Sequence, residues 1–185
     1  MTTLHARPAA LTAAAALALT LTACGSDNVA TPGAATDIEV TTPTAVPEEE
    51  FSVNDVADIT TDEIGGERVD DPGMDLAYTW QGTSSASGSG VGTVVVVAVT
   101  NKSDAPMPAD ALGQPKLTYT SGGNNRETAS PMSGEDAGVS KVGLDMPLGP
   151  GATVNLKYPY NVSMTNLWDA QFTIGNVTFR GNLNN

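Results

Sequence analysis

Several residue types are nearly absent from this chain. It has one cysteine, Cys24, and one histidine, His5, in 185 residues, and aromatic side chains make up 5%. A lone thiol cannot close an internal disulfide, so the folded part must hold together by its core and its sheet hydrogen bonds. Basic residues are also scarce: eight Lys and Arg stand against 21 Asp and Glu, a formal net charge of -13. That balance argues against a nucleic-acid partner, which requires a basic patch. No P-loop and no G-x-G-x-x-G fingerprint occurs, so no nucleotide cradle is signalled. The apolar run "LTAAAALALTLTA" is only about 13 residues long, too short to span a bilayer, where about 20 apolar residues are needed.

That run follows the polar start "MTTLHARPAA" and precedes Cys24. A short charged start, a short apolar stretch and a small-residue exit describe a secretory signal over residues 1–23. The exit Leu21-Thr22-Ala23-Cys24 resembles the lipobox of bacterial lipoproteins, L-[AST]-[AG]-C. The resemblance implies cleavage before Cys24 and a diacylglycerol on its sulfur. The mature chain would then be exported and held on the outer face of the cell membrane by lipid, each buried CH₂ contributing ~0.8 kcal/mol. Residues 24–50, rich in Thr, Pro, Ala and acids and without an aromatic residue, read as a disordered tether. Acids are concentrated here and at the domain entry: Asp27 to Asp75 carries 14 acids and one base, Arg68, whereas Leu76 onward carries seven acids and six bases. This distribution favours solvation and repulsion from an anionic membrane surface over adhesion to it.

From Phe51 to the end the pattern becomes that of strands. "GTVVVVAVTN" (92–101) is a β-branched run bounded by turn residues, a buried strand. "MDLAYTWQGTS" (74–84) and "ATVNLKYPY" (152–160) alternate apolar and polar residues. "KLTYTSGGNNRETAS" (116–130) predicts a hairpin over Gly122 to Asn125. "AQFTIGNVTFRG" (170–181) predicts a second hairpin with the two-residue turn Gly175-Asn176. "SVNDVADITTDEI" (52–64) reads as a short helical turn or a weak strand, and "GTSSASGSGVG" (82–92) as a flexible loop. Trp80, on an apolar strand face, belongs in the core, and Trp168 falls in a loop, half exposed. About seven short strands with Gly-, Pro- and Asn-rich turns predict an all-β, immunoglobulin-like antiparallel sandwich over 51–185, with a small β-barrel as the alternative.

Two blocks carry a family resemblance. "VVVVAVTNKSDAPMPADAL" is an apolar strand ending in Asn-x-[ST]-x-x-Pro, and "MPLGPGATVNLKYPYNV" is a Pro-Gly turn feeding an alternating strand with an aromatic-Pro step. With the "LTYTSGGNN" hairpin between them, they resemble the telokin-like, immunoglobulin-fold extracellular domains of bacterial lipoproteins. That family has no general catalytic signature, and the resemblance carries over no functional residue.

Signal cleavage would remove His5, leaving neither histidine nor a free thiol. Ser-His-Asp and Cys-His catalysis are then excluded, as are the ordinary zinc and blue-copper ligand sets. No enzymatic activity and no cofactor are expected. Calcium, which takes six to eight oxygen ligands, has candidates in Asp70, Asp71 and Asp75 around a Pro-Gly turn, and in Glu135 and Asp136 in "SGEDAG". Solvated turn acids are the plainer reading of both groups, and neither matches an EF-hand loop. Met107, Met132, Met146 and Met164 show no M-x-M spacing and read as loop and core packing rather than a Cu(I) site. The function expected is that of a membrane-tethered module binding another envelope or membrane protein, such as an accessory subunit of a membrane complex. A small-ligand or calcium-binding lipoprotein is the alternative.

Overall fold

The computed structural model of the chain describes residues 49–123 and 125–185. The expected signal peptide, Cys24 and nearly all of the expected tether lie outside the described residues.

Strands dominate because β-branched and aromatic residues alternate with polar ones between turn-forming glycines and asparagines. The described residues form nine strands: β1 (Ile59–Thr61), β2 (Arg68–Asp71), β3 (Leu76–Ser85), β4 (Thr93–Asn101), β5 (Lys116–Ser121), β6 (Asn125–Thr128), β7 (Thr153–Tyr160), β8 (Ala170–Ile174) and β9 (Val177–Gly181). They make two sheets that do not close into a barrel, in the orders β1-β9-β8-β5-β6 and β2-β3-β4-β7. The fold is therefore the expected all-β, immunoglobulin-like sandwich, and the barrel alternative falls. Every strand pairing is antiparallel except β1 with β9, which run parallel. Two extra short strands raise the count from seven: β1, inside the stretch read as a helical turn or weak strand, and β2, inside the acidic turn.

Alternation fixes the two faces of each strand. Leu76, Tyr78 and Trp80 of β3, Val95, Val97 and Val99 of β4, Leu156, Tyr158 and Tyr160 of β7, and Phe172, Val177 and Phe179 of the β8–β9 hairpin point inward and fill the space between the sheets. The largest rings meet there. Trp80 lies 5.9 Å from Phe172 edge-on and 5.5 Å from Phe179, and Tyr160 lies 6.3 Å from Phe172 edge-on, the geometry that aromatic quadrupoles prefer. Trp80 is a core residue, 2% exposed, as its strand face predicts.

Three local features differ from the sequence reading. The segment read as a loop from Gly82 continues β3 as far as Ser85. Here the register shifts between Trp80 and Gly82, and Gly82 takes φ +103°, a backbone bulge that only glycine adopts cheaply. Asn125 belongs to β6, paired with Ser121, which leaves three residues in that hairpin loop. "SGEDAG" is a single helical turn, α1 (Gly134–Ala137), made by capping rather than by an apolar stripe. The Ser133 hydroxyl accepts the Asp136 N–H at 3.1 Å, and Gly138 closes the turn in the left-handed region.

Pro159 sits within β7, which is tolerated because β7 is an edge strand. Its outer edge is covered: Gly143 N donates to Lys157 O, Met132 N to Pro159 O and Asn161 N to Ser130 O, at 3.0, 2.9 and 2.8 Å.

Candidate interaction surface

The two neighbouring carboxylates Asp70 and Asp71 are separated by strand alternation. Asp70 points to solvent, accepting from Arg68 Nε at 3.1 Å and Lys102 Nζ at 3.2 Å. Those contacts, the lysine's first, hold its carboxyl below the usual range. Asp71 is fully buried and its oxygens are occupied. Oδ1 accepts from Gly73 N at 3.0 Å, Met74 N at 3.3 Å and Asn176 Nδ2 at 2.9 Å; Oδ2 accepts from Asn176 N at 3.0 Å and the Tyr78 hydroxyl at 3.5 Å. Asp75 is the one described non-glycine residue with positive φ, +48°, and shapes the turn into β3. The three acids thus have three separate structural tasks. The Asp136 carboxylate, inside α1, accepts from the capping Ser133 hydroxyl at 2.7 Å and from Ser89 Oγ at 2.9 Å, while Glu135 is exposed. Among the described residues no three His, Cys, Asp or Glu side chains are placed to hold a metal ion. The methionines are equally scattered: Met107 is buried against the core and Met146 is exposed.

Three Asn-x-[ST] triplets begin at Asn101, Asn161 and Asn176, and folding explains the first and the third. The Asn101 side chain is buried and donates to Ala105 O and Leu148 O, both at 2.8 Å, while its oxygen accepts the Ser103 amide and hydroxyl. It ties the loop after β4 to the turn before β7. Asn176 is the partner of Asp71. Sequence inspection marks such asparagines only as turn formers.

A groove of about 350 Å³ runs between residues 140–148 and β7, lined by Leu144, Met146, Leu148, Val154 and Leu156 with Lys141 and Lys157 at its rim. None of its polar residues is buried, so nothing in it fixes the orientation of a small ligand as a binding pocket requires.

The surface near the start of β8 is better organised. A 3-10 helix (Met164–Asp169) leads into that strand. Its Leu167 is fully buried, and Leu183 N donates to Leu167 O at 2.8 Å. The next residue but one, Asp169, accepts from Thr120 Oγ1 at 2.6 Å and from Arg126 Nη2 at 3.2 and 3.3 Å. The Thr120 hydroxyl first, and the Arg126 charge with it, hold the Asp169 carboxyl below the usual range. Between these two anchors Trp168 stands 59% exposed. Alongside, on β5 and β6, the Tyr119 hydroxyl donates to Glu127 at 3.1 Å. The sequence suggests a half-exposed Trp168. It does not show that Thr120, Arg126 and Asp169, up to 49 residues apart, clamp the turn that carries it.

No family model matches the chain, and none of the curated proteins compared with it matches. Among solved structures, a conserved hypothetical protein from Bacillus anthracis is similar over 62% of this chain and 92% of its own, at 12% identity and a TM-score of 0.41.

Proposed function

We propose that this chain is an exported lipoprotein, anchored by lipidated Cys24, whose sandwich domain binds another protein of the cell envelope through the surface around Trp168. The anchor rests on "LTAC" behind its apolar run, and the domain is read as telokin-like on the blocks at 94–112 and 146–162. The observation that carries the binding role is Trp168: a large, amphipathic side chain left exposed on a turn that is fixed on both sides. Tryptophan, tyrosine and arginine are the residues that dominate binding at protein interfaces, and a rigid platform lowers the ordering entropy lost on association. Binding rather than catalysis fits a mature chain without histidine or free thiol.

The experiment compares wild type, Cys24→Ala and Trp168→Ala, each purified from the native host's membrane fraction. Wild type is expected to begin at an acylated Cys24 by intact mass and to retain a stoichiometric protein partner. Cys24→Ala is released or left unprocessed. Trp168→Ala stays anchored, keeps its melting temperature and loses the partner. A soluble wild type with its N-terminus intact removes the anchor. Unchanged partner recovery with Trp168→Ala removes the binding surface.

A further inference from the structure

We propose that the outer face of the five-stranded sheet binds an anionic polysaccharide. The inward residues of β5, β8 and β9 are apolar, so their outward neighbours form two adjacent cross-strand rows: Lys116, Thr173 and Thr178 in one, Thr118, Gln171 and Arg180 in the next. The rows are polar throughout. The hydroxyls of Thr173 and Thr178 lie 2.8 Å apart and bond to each other, which leaves each with further acceptor capacity. Threonine is stiff at χ1, so these hydroxyls are held in place before any ligand arrives.

Charge supplies the second argument. Among the described residues Arg68, Lys102, Arg126 and Lys141 each have a carboxylate partner. Lys116, Lys157 and Arg180 have none, and two of these three unpaired cations sit on this face. Lys116 and Arg180 are two strands and two residues apart, a diagonal of about 12 Å from ordinary sheet spacings. They therefore bracket the threonine and glutamine groups. Arg126, on the following row, is already neutralised by Asp169.

The face also lacks what a protein partner would use. The exposed large apolar side chains of the domain are Val53, Val91, Val142, Met146 and Trp168, none of them on these rows. Without an apolar anchor a protein interface has no energetic centre. A polymer bearing hydroxyls and spaced carboxylates finds neutral hydrogen-bonding groups along the middle and a charge-assisted bond at each end. These residues are distinct from Trp168, so the two surfaces fail or stand separately.

The test is affinity electrophoresis of the full-length protein in detergent, at low salt, through gels containing polygalacturonate, neutral dextran or poly-L-glutamate. Polygalacturonate is expected to retard the wild type and dextran is not. The double variant Lys116→Ala/Arg180→Ala should lose at least about tenfold in affinity and show a shallower salt dependence. Both residues are exposed, so its melting temperature should hold. Lys157→Ala and Trp168→Ala should bind as wild type does. The proposal is overturned by no retardation in polygalacturonate, by an equal loss with Lys157→Ala, or by poly-L-glutamate binding as tightly, which would make the face a site for acidic protein instead.

Discussion

Asp71 receives five hydrogen bonds, and they come from both sheets. Gly73, Met74 and Tyr78 belong to the β2–β3 corner of one sheet, and Asn176 to the β8–β9 turn of the other. A charged acceptor binds its donors more strongly than a neutral one. Removing it strands buried donors, each costing about 1–3 kcal/mol. Asp71→Ala should therefore destabilise the domain by about 3 kcal/mol or more, read as a lower urea midpoint at unchanged slope. The adjacent Asp70→Asn breaks only exposed ion pairs and should cost under about 1 kcal/mol. Equal midpoints for the two variants would refute the assignment. The sequence "RVDDPGMD" presents both acids as members of one turn. Strand alternation carries one outward and one inward, and the inward one matters because its partner lies 105 positions away. Local pattern cannot reveal such a pairing.

The hairpins show how local rules and tertiary contacts share one element. The β8–β9 turn was legible from Gly175-Asn176 because a two-residue turn with positive φ at its first central position calls for glycine there, and Gly175 has φ +54°. What the sequence omits is the second reason for that glycine. A Cβ at Gly175 would press on the Tyr78 hydroxyl and come within 2.8 Å of Asp71 Oδ2. Gly151, in the turn before β7, has φ +69° and open space around it. Replacing either with alanine incurs left-handed strain of about 1–2 kcal/mol. At Gly175 the overpacking adds about 1–3 kcal/mol. Gly175→Ala should thus unfold at a clearly lower urea concentration than Gly151→Ala; matching midpoints would show that the turn yields without disturbing Asp71. The same division explains the other elements. The long strands β3, β4 and β7 were readable from alternation and β-branching. The short β1 and β2 were not, since three or four residues carry too little periodicity and pair only because longer strands stand beside them. The clamp on Trp168 was illegible for a similar reason: Thr120, Arg126 and Asp169 become neighbours only through the sheet.

At the scale of the whole molecule, the core ties stability to alkaline pH. Three of the four tyrosines, Tyr78, Tyr158 and Tyr160, are buried between the sheets. Burial pushes the Tyr158 phenol up to about 12 from an ordinary 10.0. Burial also raises Tyr78 and Tyr160, and the Asp71 charge raises Tyr78 further. A phenol that ionises at higher pH when folded than when unfolded contributes stability that is whole below pH 10.0. From there the unfolded chain releases protons first, so stability declines as pH climbs toward the folded values. Tyr119, half-buried with its hydroxyl on Glu127, is raised as well, by burial first and by Glu127 next, but it sits at the margin of the core and does not have to wait for the sheets to part. Absorbance at 295 nm and near-ultraviolet circular dichroism, followed together above pH 10, should therefore separate two events. Tyr119 ionises first with the aromatic dichroism intact. The other three then ionise in one step that coincides with its loss, because no core tyrosine reaches water without parting the sheets around Trp80 and Phe172. Four tyrosines titrating together near their ordinary value, with the dichroism preserved, would mean that the sandwich admits water to its centre and that the packing described for it is wrong.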